Sequence, residues 1–261
     1  MTSSHSVDLN VDAGESYGAW KIGDDLQVFR SVTSVNLACG GHASDPLTMS
    51  VSVEAAVRHG LSIGAHPGYP DLAGFGRRHL AMSSPDLFSS VLYQLGALSA
   101  FTRLHGTTIR HVKAHGALYL QMMVDGETAD TVAAAVAAFD PAVPVVVLAG
   151  EGGALMRAAA DRHGLRTLQE AFPDRSYLPS GQLAPRSHPD SLVLDPELVA
   201  ERAADMVLRR VVRALDGSEV PVQADTLCIH GDNQAAPAIA AAVRRALEDA
   251  GVHVRPPTPD R

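Results

Sequence analysis

The stretch VDLNVD at residues 7–12 alternates apolar and polar side chains, as a β-strand with one buried face does. Its polar residues, Asp8, Asn10 and Asp12, share one face of the predicted strand. A polar face so early in an α/β fold is unusual, because buried carboxylates need partners or solvent. We therefore interpret this face as part of a functional site, with a solvated edge strand as the alternative.

Six more short apolar runs follow along the chain, and helical segments separate most of them. They lie near Val35, Leu61, Ile109, Val145, Thr167 and Leu227. Strands that alternate with helices favour a parallel sheet, either open or closed into a barrel. Because the composition changes nowhere abruptly, residues 1–261 are expected to form one α/β domain, a length within reach of a single barrel.

Ionisable residues recur within or just after these runs. Such positions are occupied by His66, His111, Lys113, His115, Glu170 and His230. Where successive strands feed successive helices, the carboxyl ends of all strands meet at one rim, and α/β proteins build their sites there. The pattern therefore predicts a single pocket formed by side chains that are far apart in the chain.

Capping residues indicate where helices begin and end. An N-cap residue precedes a first-turn proline at Asp45–Pro46, Ser84–Pro85 and Asp195–Pro196. Glycines mark the ends of these three helices at Gly60, Gly106 and Gly217. The third helix is therefore predicted to run to Gly217, with Val199, Val207 and Val211 on one buried stripe. Further helices are predicted near 125–139, 153–163 and 234–250.

Composition and charge exclude several classes of function. The chain has 21 Lys and Arg against 29 Asp and Glu, a net charge of −8 with histidines neutral. An acidic chain without a basic tract offers little to nucleic acid or to an anionic membrane. No signal peptide or membrane span is recognised. The only two cysteines, Cys39 and Cys228, suit a reducing compartment, so we expect a cytoplasmic protein.

Glycine-rich segments follow the second and third predicted strands. In CGGHASD at 39–45, His42 could act as a base or a ligand, and Asp45 is expected to cap the next helix. The amides at that helix start would suit an anion. The long loop within 64–78 is rich in Gly and Pro, and its Arg77 could bind a carboxylate or a phosphate.

Lys113 and His115 lie on the same face of a predicted strand. A lysine at the inner end of a strand is costly unless it meets an anion. We interpret Lys113 as a group that stabilises a developing oxyanion or a bound phosphate. His111 shares the face but lies deeper, and we expect it to be a hydrogen-bonded core residue.

Polar loops after the last two predicted strands supply further candidates. Glu170 and Asp174 could serve as a general base and as the group that orients it. A purely structural turn at Asp174–Arg175 is the competing interpretation. His230 completes the set, and Asp232 two residues later is a candidate cap for the last helix.

Common nucleotide and hydrolase signatures are absent from the sequence. There is no G-x-x-x-x-G-K-[ST] P-loop and no G-x-S-x-G elbow. An H-E-x-x-H motif and paired C-x-x-C motifs are also lacking, so the sequence leaves metal content open.

Six stretches carry motifs that resemble one known family. They are DLNVDAGESYG at 8–18, SVNLACGGHASDP at 34–46, IGAHPGYPDLAGFGRR at 63–78, VKAHGALY at 112–119, EAFPDRSYLPSGQLAPR at 170–186 and IHGDN at 229–233. Together they resemble the LamB/YcsF lactam-utilisation family of 5-oxoprolinase A subunits, in the family's order and over nearly the whole chain. The chain departs from the family pattern at Gly41, Ser44, Ala114 and Leu120, which bears on substrate contacts.

The resemblance implies a fold and an activity. The implied fold is a TIM-like (β/α)7 barrel, similar to the glycoside hydrolase and deacetylase barrels. The implied activity is the ATP-dependent opening of 5-oxo-L-proline to L-glutamate, together with partner subunits B and C. The missing P-loop fits ATP being handled largely by those partners.

The resemblance also implies roles for the candidate residues. Water activation would fall to Asp12, Glu15, His66 and Glu170. A carboxylate, phosphate or oxyanion would be held by Lys113, His115 and Arg77. The remaining substrate-binding candidates are Asn10, His42, Asp174, Arg175 and His230.

Two other functions stay open. A metal-dependent amide deacetylase on a similar barrel would use Asp12, His42 and His66 as ligands. A non-catalytic protein that binds a small acid would show ligand binding without turnover, even with both partners present. The density of titratable groups at strand ends favours catalysis over binding alone.

Overall fold

A computed structural model describes residues 5–257 and contains ten strands within them. In chain order they are β1 (Ser6–Ala13), β2 (Ser34–Ala38), β3 (Ser62–His66), β4 (His111–Val112), β5 (Val145–Leu148), β6 (Thr167–Ala171), β7 (Val211–Arg213), β8 (Glu219–Pro221), β9 (Thr226–Ile229) and β10 (His253–Val254). Strands β1 to β6 and β9 pair in parallel, and β9 also pairs with β1, which closes a seven-stranded barrel. The predicted (β/α)7 barrel is confirmed.

The same residues contain eight α-helices. They are α1 (Asp25–Val28), α2 (Pro46–Arg58), α3 (Ser84–Leu104), α4 (Gly116–Met122), α5 (Gly126–Phe139), α6 (Ala154–Arg162), α7 (Pro196–Ala204) and α8 (Ala236–Asp249). No helix within 5–257 combines the length and the apolar character needed to span a bilayer.

The start of α2 confirms one prediction and corrects another. The Asp45 carboxylate accepts hydrogen bonds from the backbone N–H groups of Leu47 and Thr48, at 2.9 and 3.0 Å. Asp45 is therefore the N-cap that the sequence predicts. Because these amides already have an acceptor, the predicted anion site at this helix start is wrong.

The helix predicted up to Gly217 is too long. Helix α7 ends at Ala204 and continues as a π-helical turn over Asp205–Arg209, after which Arg210 has a left-handed φ of +57°. The chain then forms the antiparallel hairpin β7–β8. Gly217, with a φ of +86°, lies in the hairpin turn instead of ending a helix.

Polar side chains occupy the inside of the barrel. Asn36 on β2 donates to Asn10 Oδ1 on β1 at 2.7 Å and accepts from His111 Nε2 on β4 at 2.6 Å. Thr226 on β9 accepts from Asn10 and donates to Asp8, both at 2.6 Å. We call these five residues the inner polar network; each is at most 3% exposed. His111 is the hydrogen-bonded core residue that the sequence predicts.

Gly64 makes room for His111 in this network. A Cβ atom at position 64 of β3 would lie 2.0 Å from His111 Nε2, far inside van der Waals contact. Any side chain there would push the imidazole away from Asn36. The absence of a side chain at this one position therefore keeps the network intact below the barrel rim.

Candidate active site

An ion-paired layer lies next to the inner polar network, toward the carboxyl ends of the strands. Lys113 Nζ lies 2.9 Å from Asp12 Oδ1, 3.0 Å from Glu170 Oε1 and 2.9 Å from Cys228 Sγ. Lys113 is 2% exposed and Glu170 is fully buried. The two carboxylates provide the anions that the sequence requires for a buried lysine.

The contacts within this layer set its protonation. Burial opposes the charge on Lys113, but the negative groups around it outweigh burial and hold its pKa well above the usual value. Burial would also raise the pKa of Asp12, yet attraction to neighbouring positive groups, Lys113 among them, holds that pKa well below its usual range. Burial raises the pKa of Glu170 in spite of Lys113. Lys113 and Asp12 are therefore the groups of the layer whose charges are held most firmly.

Four buried side chains converge beside this layer, and we call Glu15, His42, His66 and His115 the rim cluster. Glu15 Oε1 lies 3.2 Å from His42 Nε2 and 3.3 Å from His115 Nδ1. His115 Nδ1 lies 3.0 Å from His66 Nε2. One potential ligand atom from each residue lies within 4.8 Å of the other three. The imidazoles of His42 and His115 are stacked, with centroids 3.6 Å apart.

Two backbone carbonyls fix how the imidazoles present their nitrogens. His66 Nδ1 donates to the Lys113 carbonyl at 2.8 Å, and His115 Nε2 donates to the Phe75 carbonyl at 2.9 Å. Because a carbonyl oxygen only accepts, these two nitrogens carry the ring protons. In the neutral rings, His66 Nε2 and His115 Nδ1 are therefore lone-pair nitrogens that face each other.

Burial keeps the histidines of the rim cluster neutral. It lowers the pKa of His42 and of His115 to about 3, and the pKa of His66 to well below its usual value. On Glu15 burial acts in the opposite direction and raises the pKa to about 7. Glu15 can therefore take up or release a proton near neutral pH.

The long loop between β3 and α3 covers the rim cluster. Phe75 and Gly76 have left-handed φ values of +53° and +61°. A Cβ atom at Gly76 would lie 2.7 Å from His42 Cβ and 2.8 Å from His115 Cδ2. Glycine at this position lets the loop backbone pack directly against the two imidazoles and bury them.

Cations and acids line the outer part of the pocket. Arg77 is ion-paired with Asp232, and Arg186 lies on the same wall. His230 Nδ1 lies 2.9 Å from Asp174 Oδ2, which also accepts from the His230 backbone N–H at 2.9 Å. Positive guanidinium groups outside and acid–base groups inside form a pocket suited to a small anionic molecule.

A family model described as the LamB/YcsF family matches residues 7–260, which include all the residues of this pocket. The chain belongs to the LamB/YcsF family. The resemblance found in its six motif stretches is thereby confirmed.

Similar proteins span nearly the full chain. A protein from Thermus thermophilus that is named as the A subunit of 5-oxoprolinase is 57% identical over 249 residues, which is 95% of this chain and 98% of the relative. A protein of the same name from Deinococcus radiodurans is 49% identical over 252 residues, which is 97% of each chain.

Solved structures agree with the fold assigned to this LamB/YcsF chain. The crystal structure of a lactam utilization protein from Thermus thermophilus has a TM-score of 0.90 and 55% identity, and it covers 96% of this chain and 99% of that chain. A proposed cellobiose-phosphate cleavage protein from Enterococcus faecalis has a TM-score of 0.56 and 15% identity over 97% of each chain. The second similarity concerns the fold alone.

Most of the predicted site residues of this family member line one pocket. They are Asp12, Glu15, His66, Arg77, Lys113, His115, Arg175 and His230. Four others lie behind its wall: Asn10, His42, Glu170 and Asp174. His42 contacts Glu15, Glu170 contacts Lys113, and Asp174 contacts His230.

Two predicted substrate-binding residues already have protein partners. Asn10 donates to Thr226 and to Glu170 and accepts from Asn36. Arg175 donates from Nε to the Ser191 carbonyl at 3.2 Å and from Nη2 to the Ala184 carbonyl at 2.7 Å. These contacts support the structural alternative for Arg175, because its guanidinium holds the long loop after β6.

The pocket also contains residues to which the sequence analysis gives no role. Arg186, Tyr119 and Phe172 lie on its wall, and Lys113 Nζ is 5.1 Å from the centroid of the Phe172 ring. All three residues fall inside the motif stretches. The motifs therefore indicated these segments as part of the site but did not identify the three residues individually. The helix cap predicted at Asp232 is wrong, since α8 has no side-chain cap.

Proposed function

We propose that this chain is the A subunit of an ATP-dependent 5-oxoprolinase, which hydrolyses 5-oxo-L-proline to L-glutamate together with subunits B and C. The observation that carries the proposal is the 57% identity, over 95% of the chain, to a protein named as the A subunit of 5-oxoprolinase. The acid–base groups of the pocket support a hydrolytic role.

The proposed substrate has a carboxylate and a cyclic amide, and the pocket offers groups for both. Arg77 and Arg186 suit the carboxylate, because a guanidinium has five N–H donors and Arg77 can therefore bind it in addition to Asp232. Lys113 is already paired with Asp12 at 2.9 Å. We therefore assign Lys113 the role of keeping Asp12 ionised rather than that of holding an external anion.

The chemistry requires activation of the lactam before water attacks. Transfer of the ATP γ-phosphoryl group to the lactam oxygen turns a poor electrophile into a good one. Water adds to this carbon and gives its proton to a base, and then the ring C–N bond breaks and the nitrogen takes a proton. Loss of phosphate before the nitrogen would regenerate the lactam. The ring-opened acyl phosphate then reacts with a second water to give phosphate and glutamate.

Three candidates for the water-activating base reach the pocket wall: Asp12, Glu15 and His66. Glu170 is the least accessible candidate, since it is fully buried behind Lys113. The missing P-loop supports ATP being handled mainly by the partner subunits. Two free, buried cysteines are consistent with the proposed cytoplasmic location.

The test is release of glutamate from 5-oxoproline and ATP, measured for the chain alone and with subunits B and C. We expect turnover only with the partners. The neutral lactam 2-pyrrolidinone is the matched control and should be opened poorly, because it offers no carboxylate to Arg77 and Arg186. Full ATP-coupled turnover by the chain alone would refute the proposed division of labour.

The same assay separates the alternatives. Absence of turnover with both partners would refute the 5-oxoprolinase function, and ligand binding without turnover would then favour a non-catalytic binding protein. Amide cleavage without ATP would favour a deacetylase-like activity.

A further inference from the structure

We propose that the rim cluster binds one divalent transition-metal ion, best matched by Zn²⁺, through Glu15, His42, His66 and His115. The inference goes beyond the proposed function and does not depend on it, because metal binding can be measured on the chain alone. The ligand set differs from the one considered from sequence, since Asp12 is paired with Lys113.

Three of the six distances between the ligand atoms match those of a tetrahedral site. Zn²⁺ binds imidazole nitrogen and carboxylate oxygen at about 2.0–2.1 Å, which places neighbouring ligand atoms about 3.3 Å apart. Glu15 Oε1 lies 3.2 Å from His42 Nε2 and 3.3 Å from His115 Nδ1, and His115 Nδ1 lies 3.0 Å from His66 Nε2. All four atoms lie within 4.8 Å of one another. The planes of His42 and His115 are only 3° from parallel, so no single ion can lie in both ring planes and one ring must turn to complete a tetrahedron. His42 is the ring that can turn, because its Nδ1 has no hydrogen-bond partner.

The two facing nitrogens of the cluster have no proton donor between them. His66 Nε2 and His115 Nδ1 both present lone pairs at 3.0 Å, and the Glu15 carboxylate, when ionised, adds a third acceptor 3.3 Å from His115 Nδ1. A proton between the two rings would create an imidazolium, which burial opposes. A cation bound to the lone pairs satisfies them without protonating any ring.

The outer hydrogen bonds are those of metal-bound histidines. A ligating histidine generally donates its second ring nitrogen to a carbonyl or a carboxylate. His66 does so to the Lys113 carbonyl, and His115 does so to the Phe75 carbonyl. Three nitrogens and one carboxylate suit Zn²⁺, whereas Mg²⁺ and Ca²⁺ prefer oxygen ligands only.

The experiment uses the full chain without a histidine tag, stripped with a chelator and then supplied with Zn²⁺ or Co²⁺. Bound metal is measured by elemental analysis after gel filtration, and Co²⁺ coordination by visible absorption. We expect one ion per chain, a tetrahedral Co²⁺ spectrum and a higher melting temperature with Zn²⁺. Mg²⁺ should produce none of these changes.

Single substitutions identify the ligands. His66→Asn and His115→Asn are expected to weaken metal binding more than about 100-fold, at least as much as loss of an outer-shell partner does. Glu15→Gln is a second, nearly isosteric variant in case the histidine variants do not fold. His230→Asn is the matched control, because it removes a histidine from the same pocket but outside the cluster, and it should bind normally.

Two results would overturn the proposal. Wild-type protein that retains no ion and shows no Co²⁺ spectrum would mean that the facing nitrogens share a proton instead. Stoichiometric binding that survives His66→Asn, His115→Asn and Glu15→Gln in folded protein would place the ion elsewhere.

Discussion

The inside of the barrel is polar at two levels, and the levels differ in how completely their hydrogen bonds are formed. In the inner polar network every member has a partner among the others, as where Asn36 joins Asn10 to His111. In the rim cluster the lone pairs of His66 and His115 face each other at 3.0 Å. Both levels are nearly inaccessible to solvent.

The difference in hydrogen bonding indicates which of the two levels stabilises the fold and which binds a ligand. A buried polar network with complete hydrogen bonds stabilises one arrangement of the fold. An incomplete network costs free energy unless a ligand completes it. We therefore assign the inner polar network to the scaffold and the rim cluster to binding, with the Lys113 layer between them serving both.

The largest effect is expected at the layer that joins the two levels. Lys113→Met leaves Asp12 and Glu170 without their cation, so the free energy of unfolding should fall by about 3–5 kcal/mol. Turnover of the reconstituted enzyme should be lost as well. Urea unfolding measures the first effect and glutamate release the second. Lys21→Met, at an exposed lysine, is the control and should unfold like wild type.

A second substitution sharpens this prediction. Adding Asp12→Asn to Lys113→Met removes the uncompensated carboxylate, while the amide oxygen can still accept from Asn36. The double variant should therefore be more stable than Lys113→Met alone. An unchanged unfolding curve for Lys113→Met would contradict the assigned role of this layer.

An intermediate effect is expected in the inner polar network. Thr226→Val keeps the side-chain shape but removes the partner of Asn10 and of Asp8, so we expect a loss of about 2 kcal/mol in the free energy of unfolding. Metal binding should stay unchanged. Thr108→Val, at an exposed threonine, is the control. Equal unfolding of both variants would show that the network does not stabilise the barrel.

The smallest effect on stability is expected in the rim cluster. In chelator-treated protein, Glu15→Gln should leave the free energy of unfolding unchanged or slightly higher. There are two reasons. The glutamine amide can donate to the lone pair of His115, and the substitution removes a buried carboxyl group. The measurement is urea unfolding beside Thr226→Val. A comparable loss of free energy of unfolding in both variants would show that the rim cluster also belongs to the scaffold, and would contradict the proposed difference between the two levels.

Local patterns were reliable wherever neighbouring residues decide the structure. Alternation at 7–12 predicted β1, and the carboxylate at Asp45 predicted the start of α2. The same reasoning failed after Ala204, because Val211 fits a helical stripe as well as a strand over so short a span. Its β-branched side chain favours the strand, and pairing with β8 decided it.

The candidate site was predicted in composition but not in its contacts. Glu15, His66 and His115 were correctly expected on one rim, since strand period and strand order bring them there. The position of Arg186 in the pocket wall was missed because it follows a long irregular segment whose path no local pattern fixes. Asp232 was misassigned because a cap and an ion-pair partner look alike in sequence.

The sequence by itself determined the seven strands, the face that each ionisable residue takes and the membership of the LamB/YcsF family. Only the tertiary structure decided which groups meet. Lys113 reaches Asp12 across 101 residues of chain, and His115 reaches His66 across 49. A period of two tells which side of a strand a residue faces. Tenths of an ångström between side chains from different strands decide whether two nitrogens share a proton or hold a cation.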